Sequence, residues 1–278
     1  MILAIASGKG GTGKTTVAVS LALSADKSMQ FLDCDVEAPN AYIFLKPKID
    51  KKIIVTAKMP QIDLLKCDFC AECSAVCAFN AIATIANKVL VFPELCHSCG
   101  ACEYLCHNQA ISATEQPIGA IEFGGSDKID FIQGTLDTGK PSAIPLIKMA
   151  KKYISHDKLT IIDVSPGTSC AMVHAVTDAN YCILVTEPTP FGLNDLKLAI
   201  EALVKLKIPF GVIINRCDLG NDEVEKYCLE QNIKILMCIP FLRDIAANYA
   251  IGKPLIESFP EYKKEFQRVL ANIETNYG

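Results

Sequence analysis

Two runs of cysteine share one spacing, and this spacing is typical of iron–sulfur ligation. Each run follows C-x₂-C-x₂-C-x₃-C. The first run begins at Cys67, and the second begins 29 residues later at Cys96. Four thiolates spaced so closely suit a 4Fe–4S cluster, whereas zinc sites usually combine two CxxC pairs across a longer loop. The sequence therefore predicts two 4Fe–4S clusters, with zinc as the less favoured alternative. The candidate ligands are Cys67, Cys70, Cys73 and Cys77 in the first run and Cys96, Cys99, Cys102 and Cys106 in the second.

A second set of residues, near the start of the chain, has the spacing of a phosphate-binding loop. Gly8, Gly13, Lys14 and Thr15 satisfy G-x-x-x-x-G-K-S/T between an apolar stretch and a helical one, which is the context that this pattern requires. Backbone N–H groups of such a loop and the following helix N-terminus bind phosphate. We expect Lys14 to reach the β- and γ-phosphates and the Thr15 hydroxyl to complete the Mg²⁺ shell. The sequence thus predicts a site for ATP or ADP with Mg²⁺.

The rest of the chain predicts the elements that position these loops. Continuous apolar stretches of six or seven residues alternate with helical patterns, as is typical of parallel strands covered by helices on both faces. We therefore expect an α/β fold with a doubly wound, mostly parallel sheet. The predicted strands are 2–7, 30–35, 159–164, 181–186, 210–215 and 233–239, and the predicted helices are 14–25, 142–155, 190–206, 221–231 and 243–251.

Residues 58–117 interrupt this alternation and contain both cysteine runs, with a short predicted hairpin at 81–93. We therefore expect two domains. Residues 1–57 and 118–278 would form the ATPase domain, and 58–117 would form an inserted two-cluster α+β module. The insertion has three lysines and six acidic residues, so an electron-transfer partner with a basic docking face would fit it.

Composition limits the remaining classes of function. The chain has 278 residues, of which 50% are hydrophobic and 21% charged, and its net charge is −4, which gives no electrostatic reason to expect nucleic acid. No apolar run approaches the ~18 residues of a membrane helix, and MILAIA is too short for the apolar region of a signal peptide. We therefore expect a cytoplasmic protein without membrane insertion. The amphipathic stretch 261–278 is expected to pack on the domain as its last helix, with a membrane-targeting helix as the less favoured alternative.

A second lysine in the phosphate loop, Lys9, carries a resemblance to a known superfamily. KGGTGKT resembles the deviant Walker A motif of the MinD/ParA/Mrp superfamily, to which the nitrogenase iron protein belongs. The resemblance implies ATP hydrolysis by a homodimer in which Lys9 reaches the partner's nucleotide. It implies that Asp35 in DCDVEAPN positions the attacking water, that Asp163 in IIDVSPGTSC supports Mg²⁺, and that Gly167 lies near the γ-phosphate. The other residues that it assigns to the nucleotide are Gly8, Gly10, Gly11, Thr12, Gly13, Lys14, Thr15, Thr16, Asn215, Arg216 and Pro240.

The cysteine runs resemble those of two-cluster bacterial ferredoxins, in which the fourth cysteine of each run binds the other cluster. The bacterial motif ends in Cys-Pro, whereas Ala78 and His107 follow the fourth cysteines here. This difference leaves the reduction potentials of the clusters unpredicted, but it does not change the predicted cysteine ligands. The resemblance implies one cluster on Cys67, Cys70, Cys73 and Cys106 and another on Cys96, Cys99, Cys102 and Cys77.

Two assignments have alternatives. Asn215 and Asp218 also match the guanine-reading N-K-x-D of GTPases, with Arg216 in place of the lysine, although the rest of the chain favours ATP. Cys170 matches a cluster ligand of the nitrogenase iron protein, but no second cysteine lies between Cys106 and Cys170. Cys170 is therefore either a transient ligand at a dimer interface or a structural thiol. The other scattered thiols, expected to behave as small apolar residues, are Cys34, Cys182, Cys217, Cys228 and Cys238.

These features together favour a dimeric ATPase that couples its nucleotide state to electron transfer through two 4Fe–4S clusters. The alternative is an ATPase that assembles or carries iron–sulfur clusters or another metallocofactor for a client protein. A positioning ATPase of the MinD/ParA kind is least favoured, because that function needs no clusters.

Overall fold

The computed structural model describes all 278 residues. Its strands are β1 (Ile2–Ala6), β2 (Met29–Cys34), β3 (Lys48–Ile62), β4 (Ile82–Ile85), β5 (Lys88–Val91), β6 (Ile111–Ser126), β7 (Ile129–Leu136), β8 (Leu159–Val164), β9 (Tyr181–Thr186), β10 (Phe210–Asn215) and β11 (Ile235–Ile239). Its helices are α1 (Lys14–Ser24), α2 (Ala41–Leu45), α3 (Glu72–Val76), α4 (Ala101–Leu105), α5 (Ile144–Lys151), α6 (Cys170–Val176), α7 (Pro190–Leu206), α8 (Glu223–Glu230), α9 (Arg243–Ala250), α10 (Leu255–Ser258) and α11 (Glu261–Tyr277).

Nine strands form one sheet in the order β11-β10-β9-β1-β8-β2-β7-β6-β3. The pairs from β11 to β7 are all parallel, and only β6 and β3 add antiparallel pairs at one edge. The predicted mostly parallel α/β sheet is therefore confirmed. Its central parallel strands are mostly apolar because helices cover both faces, and β8 and β9 are buried along their whole length.

The sheet separates two hydrophobic cores, and β1 contributes to both because its successive side chains point to opposite faces of the sheet. Leu3 and Ile5 belong to the core under α1, α2 and α11, whereas Ala4 and Ala6 belong to the core under α5, α6, α7 and α8. The last helix, α11, packs against α1 as predicted for the C-terminal stretch, and its buried residues are Phe266, Val269, Leu270 and Ile273. No helix combines the length and the apolar character needed to cross a bilayer.

A long antiparallel ribbon of β3 and β6 connects the sheet to the cysteine runs. The two strands pair from Lys48 with Gly125 to Ile62 with Ile111, so the expected domain boundaries at 57/58 and 117/118 fall inside continuous strands. The sequence does not predict this ribbon, because β3 is mostly exposed and alternates only over part of its length, and because β6 contains proline and several glycines.

The ribbon extends past the edge of the sheet where the phosphate loop lies. β7 runs parallel to β2 and ends at Leu136, which pairs with Gly119 of β6. Residues 111–118 of β6 therefore continue beyond the carboxyl ends of the parallel strands. Because the phosphate loop follows β1 at those same ends, the cysteine runs lie beyond the edge of the sheet that carries the loop.

Residues 63–110 lie at the far end of the ribbon and repeat their backbone conformation. They contain α3, α4 and the hairpin of β4 and β5, which falls within the predicted 81–93. The 29-residue offset of the cysteines recurs in residues with left-handed backbone angles, namely Phe69 and Ser98, Ala71 and Gly100, and Asn80 and Gln109. The two cysteine runs therefore have the same local backbone fold.

Candidate nucleotide and metal sites

Two glycines of the phosphate loop are required by close contacts. A side chain at Gly8 would place its Cβ 2.2 Å from the carbonyl oxygen of Asp195. At Gly13, which has a φ of +89°, the Cβ would lie 2.3 Å from Nδ2 of Asn215. The Asn215 amide in turn donates a hydrogen bond to the Thr12 carbonyl at 2.8 Å. The loop is thus held from the end of β10 as well as by α1.

Four residues predicted to act on the phosphates and Mg²⁺ meet in the structure. Lys14 Nζ lies 2.6 Å from Oδ1 of Asp163 and 3.7 Å from Oδ2 of Asp35. The Thr15 hydroxyl donates to Oδ2 of Asp163 at 2.7 Å. Lys14, Thr15 and Asp163 are buried, so their charges interact strongly. The arrangement joins the cation expected on the phosphates to the carboxylate expected to support Mg²⁺.

Burial shifts the pKa values of these groups. Burial alone would lower the pKa of Lys14, but Asp163, Asp35 and Asp33 together raise it above its ordinary value. Burial is also the largest cause that raises the pKa of Asp35 to about 6, followed by the opposing effect of Lys14. Lys14 therefore stays charged, as phosphate binding requires.

Asp33 is a functional residue that the sequence analysis missed. It is fully buried, and burial followed by Asp163 raises its pKa to about 7. Its carboxylate accepts hydrogen bonds from the backbone N–H groups of Asp35 at 3.0 Å and of Asn40 and Ala41 at 3.2 Å. Asp33 therefore fixes the segment that carries Asp35. The D-x-D pattern at 33–35 is the signal that could have pointed to it.

A cavity of about 370 Å³ opens in front of the loop. Predicted nucleotide residues that line it are Gly10, Gly11, Gly13, Lys14, Thr15, Thr16, Asp35, Asn215, Arg216 and Pro240. The other predicted residues, which do not line it, are Gly8, Lys9, Thr12, Asp163 and Gly167. Gly167 still lies beside the loop, because its N–H donates to the Ser7 carbonyl at 2.9 Å.

Lys9 and Arg216 share a carboxylate that the sequence analysis did not select. Lys9 Nζ lies 3.3 Å from Oε2 of Glu187, and Nη1 of Arg216 lies 2.6 Å from Oε1. Glu187 is buried, whereas the side chain of Lys9 is partly exposed. Glu187 thus connects the second lysine of the loop to a residue that lines the cavity. The predicted reach of Lys9 to a partner's nucleotide stays a prediction.

The structure brings the eight cysteines together in two sets. Each set lines its own small cavity, and each contains three cysteines of one run and the fourth cysteine of the other. One cavity is lined by Cys67, Cys70, Cys73 and Cys106, and the other by Cys77, Cys96, Cys99 and Cys102. These are the two sets that the resemblance to bacterial ferredoxins implies.

The surroundings of both sets fit iron–sulfur clusters. Four thiols per cavity are the donor set that a 4Fe–4S cluster needs. The N–H of Ala81 points at the sulfur of Cys77, and the N–H of Ala110 at that of Cys106, each at 3.2 Å. Such N–H contacts stabilise negative charge on sulfur. The residues present therefore fit two clusters.

The two cavities differ in the side chains beside them. Next to the first, His107 lies 3.2 Å from Asp68 and 3.4 Å from Glu72, and these hydrogen bonds raise its pKa. At the second, the rings of Phe79 and His97 stack with centroids 3.8 Å apart. His107, which stands where the bacterial ferredoxin motif has proline, thus lies in a group of exposed polar residues beside the first cavity. The second cavity is instead lined by the stacked aromatic rings.

Cys170 is exposed at the first position of α6, and it belongs to neither set. Cys34, Cys182 and Cys228 are buried, as expected for small apolar residues. Cys238 departs from that expectation because it is exposed.

The fold and the loop geometry define a P-loop nucleotide-binding protein. The sequence profile of the CobQ/CobB/MinD/ParA nucleotide binding domain matches residues 3–255. The chain therefore belongs to the CobQ/CobB/MinD/ParA family, and it is an ATP-binding ATPase of the MinD/ParA type. The predicted superfamily is confirmed at this level.

Individual relatives agree with this assignment. Two uncharacterized proteins of Methanocaldococcus jannaschii are 30% and 32% identical over 267 and 250 residues, which cover 94% and 88% of this chain and 92% and 86% of theirs. An iron–sulfur cluster carrier protein of Pyrococcus horikoshii is 24% identical over 278 residues, 91% of this chain and 78% of that protein. The septum site-determining protein MinD of Pyrococcus horikoshii, solved with Mg-ADP, has the same fold, with a TM-score of 0.60, 20% identity and coverage of 100% of this chain and 97% of that one.

Proposed function

We propose that this ATPase is a homodimeric iron–sulfur protein in which the nucleotide state controls electron transfer. The observation that carries the proposal is the grouping of the eight cysteines into two crossed sets of four. Two 4Fe–4S clusters held by these sets would supply one-electron transfer. The acidic cysteine segment suits a redox partner with a basic docking face.

In this proposal, the residues at the phosphate loop exchange partners when nucleotide binds. Lys14 turns from Asp163 and Asp35 to the phosphates, which replace the lost negative charge. Asp163, released from Lys14, keeps its hydrogen bond to Thr15 and helps to hold Mg²⁺. Asp35 is then free to orient the attacking water. Lys9 leaves Glu187 to complete the site of the partner subunit, where an added cation can accelerate phosphoryl transfer by about 10³–10⁵-fold.

The ribbon offers a route from the nucleotide to the cysteines. Val36 follows Asp35 directly, and its carbonyl accepts a hydrogen bond from the N–H of Leu136 at the end of β7. The next residue, Asp137, donates to the carbonyl of Ile118 in the ribbon at 2.9 Å. A shift of the segment that carries Asp35 would therefore displace β6 at the point where the ribbon leaves the sheet.

Side-chain packing follows the same route. Val36 shares one hydrophobic core with Val55, Ala57 and Met59, which are alternate residues of β3. Met59 lines the second cysteine cavity, and Cys96 packs against the same core. Packed side chains transmit small displacements because the interior has little free volume. The second cluster is therefore the one that we expect to respond first to the nucleotide.

A second candidate function, cluster carriage, is favoured by the relative whose name is iron–sulfur cluster carrier protein. Four cysteines enclose each proposed cluster, however, and a fully ligated cluster is hard to release. A carrier would transfer iron to an apoprotein when MgATP is added, whereas the redox protein proposed here would keep its iron. Iron retained by the chain after incubation with apo-ferredoxin and MgATP distinguishes the two functions.

Cofactor content tests the proposal first. Protein purified without oxygen should contain about eight iron and eight sulfide per chain, and the reduced protein should show EPR signals of two interacting clusters. Stoichiometric zinc without sulfide would refute the proposal.

A further inference from the structure

Two cysteines lie on adjacent chain segments outside the nucleotide site and the two cysteine cavities. Cys217 follows β10, and Cys238 lies in the neighbouring strand β11. The backbone N–H of Cys217 donates to the carbonyl of Ile239 at 3.0 Å, and Cys238 pairs with Ile214 of β10, which belongs to the core that Cys217 packs against. Cys238 is exposed and Cys217 is half-buried, so a small molecule in solution can reach the pair.

The chain segments on either side of this pair form one wall of the nucleotide cavity. Asn215 and Arg216 precede Cys217, and Ile239 and Pro240 follow Cys238, and all four line the cavity. A change in the spacing of the two sulfur atoms would therefore move residues that line the nucleotide site.

We propose that Cys217 and Cys238 form a reversible disulfide that weakens nucleotide binding. The inference uses the nucleotide site alone and does not depend on the proposed clusters. The sulfur atoms of two free thiols are farther apart than the roughly 2.05 Å of a disulfide bond. Closure therefore pulls the ends of β10 and β11 together and narrows the cavity wall between them.

The chemistry requires an oxidant, and a small-molecule disulfide is sufficient. The thiolate of Cys238 attacks one sulfur of the disulfide RS–SR, forms a mixed disulfide and releases RS⁻, which takes a proton. The thiolate of Cys217 then attacks the Cys238 sulfur of the mixed disulfide and releases the second RSH. The two cysteines are oxidised by two electrons in total, and one RS–SR is reduced to two RSH.

The surroundings of the thiols set the rate of this exchange. Burial, followed by the charges of Cys217 and Glu225, raises the pKa of Cys238 to about 11. Burial and Asp218 also raise the pKa of Cys217. Because the thiolate is the nucleophile, exchange is slow at neutral pH and accelerates as the pH rises.

A neighbouring thiol provides a matched control. Cys228 lies in α8 and is fully buried, so a small-molecule disulfide cannot reach its thiol. Cleavage after lysine and arginine separates the three thiols, because Cys217 lies in the peptide 217–226, Cys228 in 227–234 and Cys238 in 235–243. One digest therefore reports each thiol separately.

The test treats the iron-loaded protein with oxidised glutathione without oxygen at alkaline pH. Mass spectrometry under non-reducing conditions should find 217–226 linked to 235–243, and dithiothreitol should release both. The affinity for the fluorescent nucleotide mant-ADP should fall about tenfold, equivalent to about 1.4 kcal/mol, and recover on reduction. Iron content measured in the same samples separates this effect from cluster loss.

Single serine variants assign the effect to the pair. The affinity of Cys217→Ser and Cys238→Ser for mant-ADP should not respond to oxidised glutathione, whereas Cys228→Ser should respond like the parent. Absence of the linked peptide in the parent protein would overturn the disulfide. A linked peptide with unchanged mant-ADP affinity would overturn its effect on the nucleotide site.

Discussion

Replacing Lys14 by alanine should destabilise the nucleotide-free protein as well as abolish nucleotide binding. Lys14 is the cation nearest to three carboxylates: it lies 2.6 Å from Asp163 and 3.7 Å from Asp35, and its charge also acts on the buried Asp33. Removing one partner of a buried ion pair leaves the other without compensation and typically costs about 3–5 kcal/mol. We expect the free energy of unfolding of Lys14→Ala to be lower than that of the parent by an amount of this size at neutral pH.

The loss should increase with pH. The pKa values of Asp33 and Asp35 are already raised to about 7 and about 6 from an ordinary 3.8, and loss of Lys14 raises them further. A carboxyl group whose pKa is higher in the folded state than in the unfolded state binds more protons when folded, so stability declines as the pH rises through the folded pKa. The difference in the free energy of unfolding between variant and parent should therefore be smallest at about pH 5.5 and largest at about pH 8.

Urea unfolding of both proteins, followed by circular dichroism at the two pH values, measures this difference. Lys9→Ala is the control, because the side chain of Lys9 is partly exposed and Arg216 still pairs with Glu187 at 2.6 Å in the variant, so its removal should cost less than about 1 kcal/mol. The iron content of Lys14→Ala should match the parent, since the cysteine sets lie outside the loop. A Lys14→Ala protein as stable as Lys9→Ala at the higher pH would refute the claim that Lys14 compensates the charge of the buried carboxylates.

Three further predictions follow from the two sites. Gly13→Ala should weaken MgADP binding in calorimetry, because its Cβ would displace the Asn215 amide and a left-handed residue with a side chain costs about 1–2 kcal/mol; parental affinity would contradict the contact. Cys106→Ser should leave the same single-cluster EPR signal as Cys67→Ser, and a signal matching loss of the other cluster would exclude crossed ligation. Asp35→Ala should bind ATP, hydrolyse it slowly and sediment as a dimer with MgATP, and parental turnover would remove Asp35 from catalysis.

Local patterns made the phosphate loop and the parallel strands predictable. The glycines, Lys14 and Thr15 are contiguous in sequence, and their chemistry depends on backbone geometry that the spacing itself imposes. The strand predictions succeeded for the same reason, since β8, β9 and β10 coincide with the predicted apolar stretches. The two cysteine sets were likewise predictable, because the two runs match a known pattern in which the fourth cysteine of each run binds the other cluster.

Contacts between distant segments were not predictable. Met59 and Val36 meet in one core only because β3 joins the sheet through β6, and the alternating, partly exposed pattern of β3 gives no continuous apolar signal. Cys217 and Cys238 become neighbours through the parallel register of β10 and β11, in which Ile214 pairs with Cys238. Glu187 is one acidic residue in a strand-to-helix turn until Lys9 and Arg216 fold against it.

The central claim is that nucleotide at the phosphate loop controls electron transfer through the cysteine segment. Its most direct test is stopped-flow oxidation of the reduced, iron-loaded protein by cytochrome c, a basic one-electron acceptor, with and without MgATP. The account predicts that MgATP changes the rate of cluster oxidation in the parent and leaves it unchanged in Lys14→Ala, which retains its iron but binds no nucleotide. Equal rates with and without MgATP in the parent protein, under conditions where ATP is hydrolysed, would contradict it.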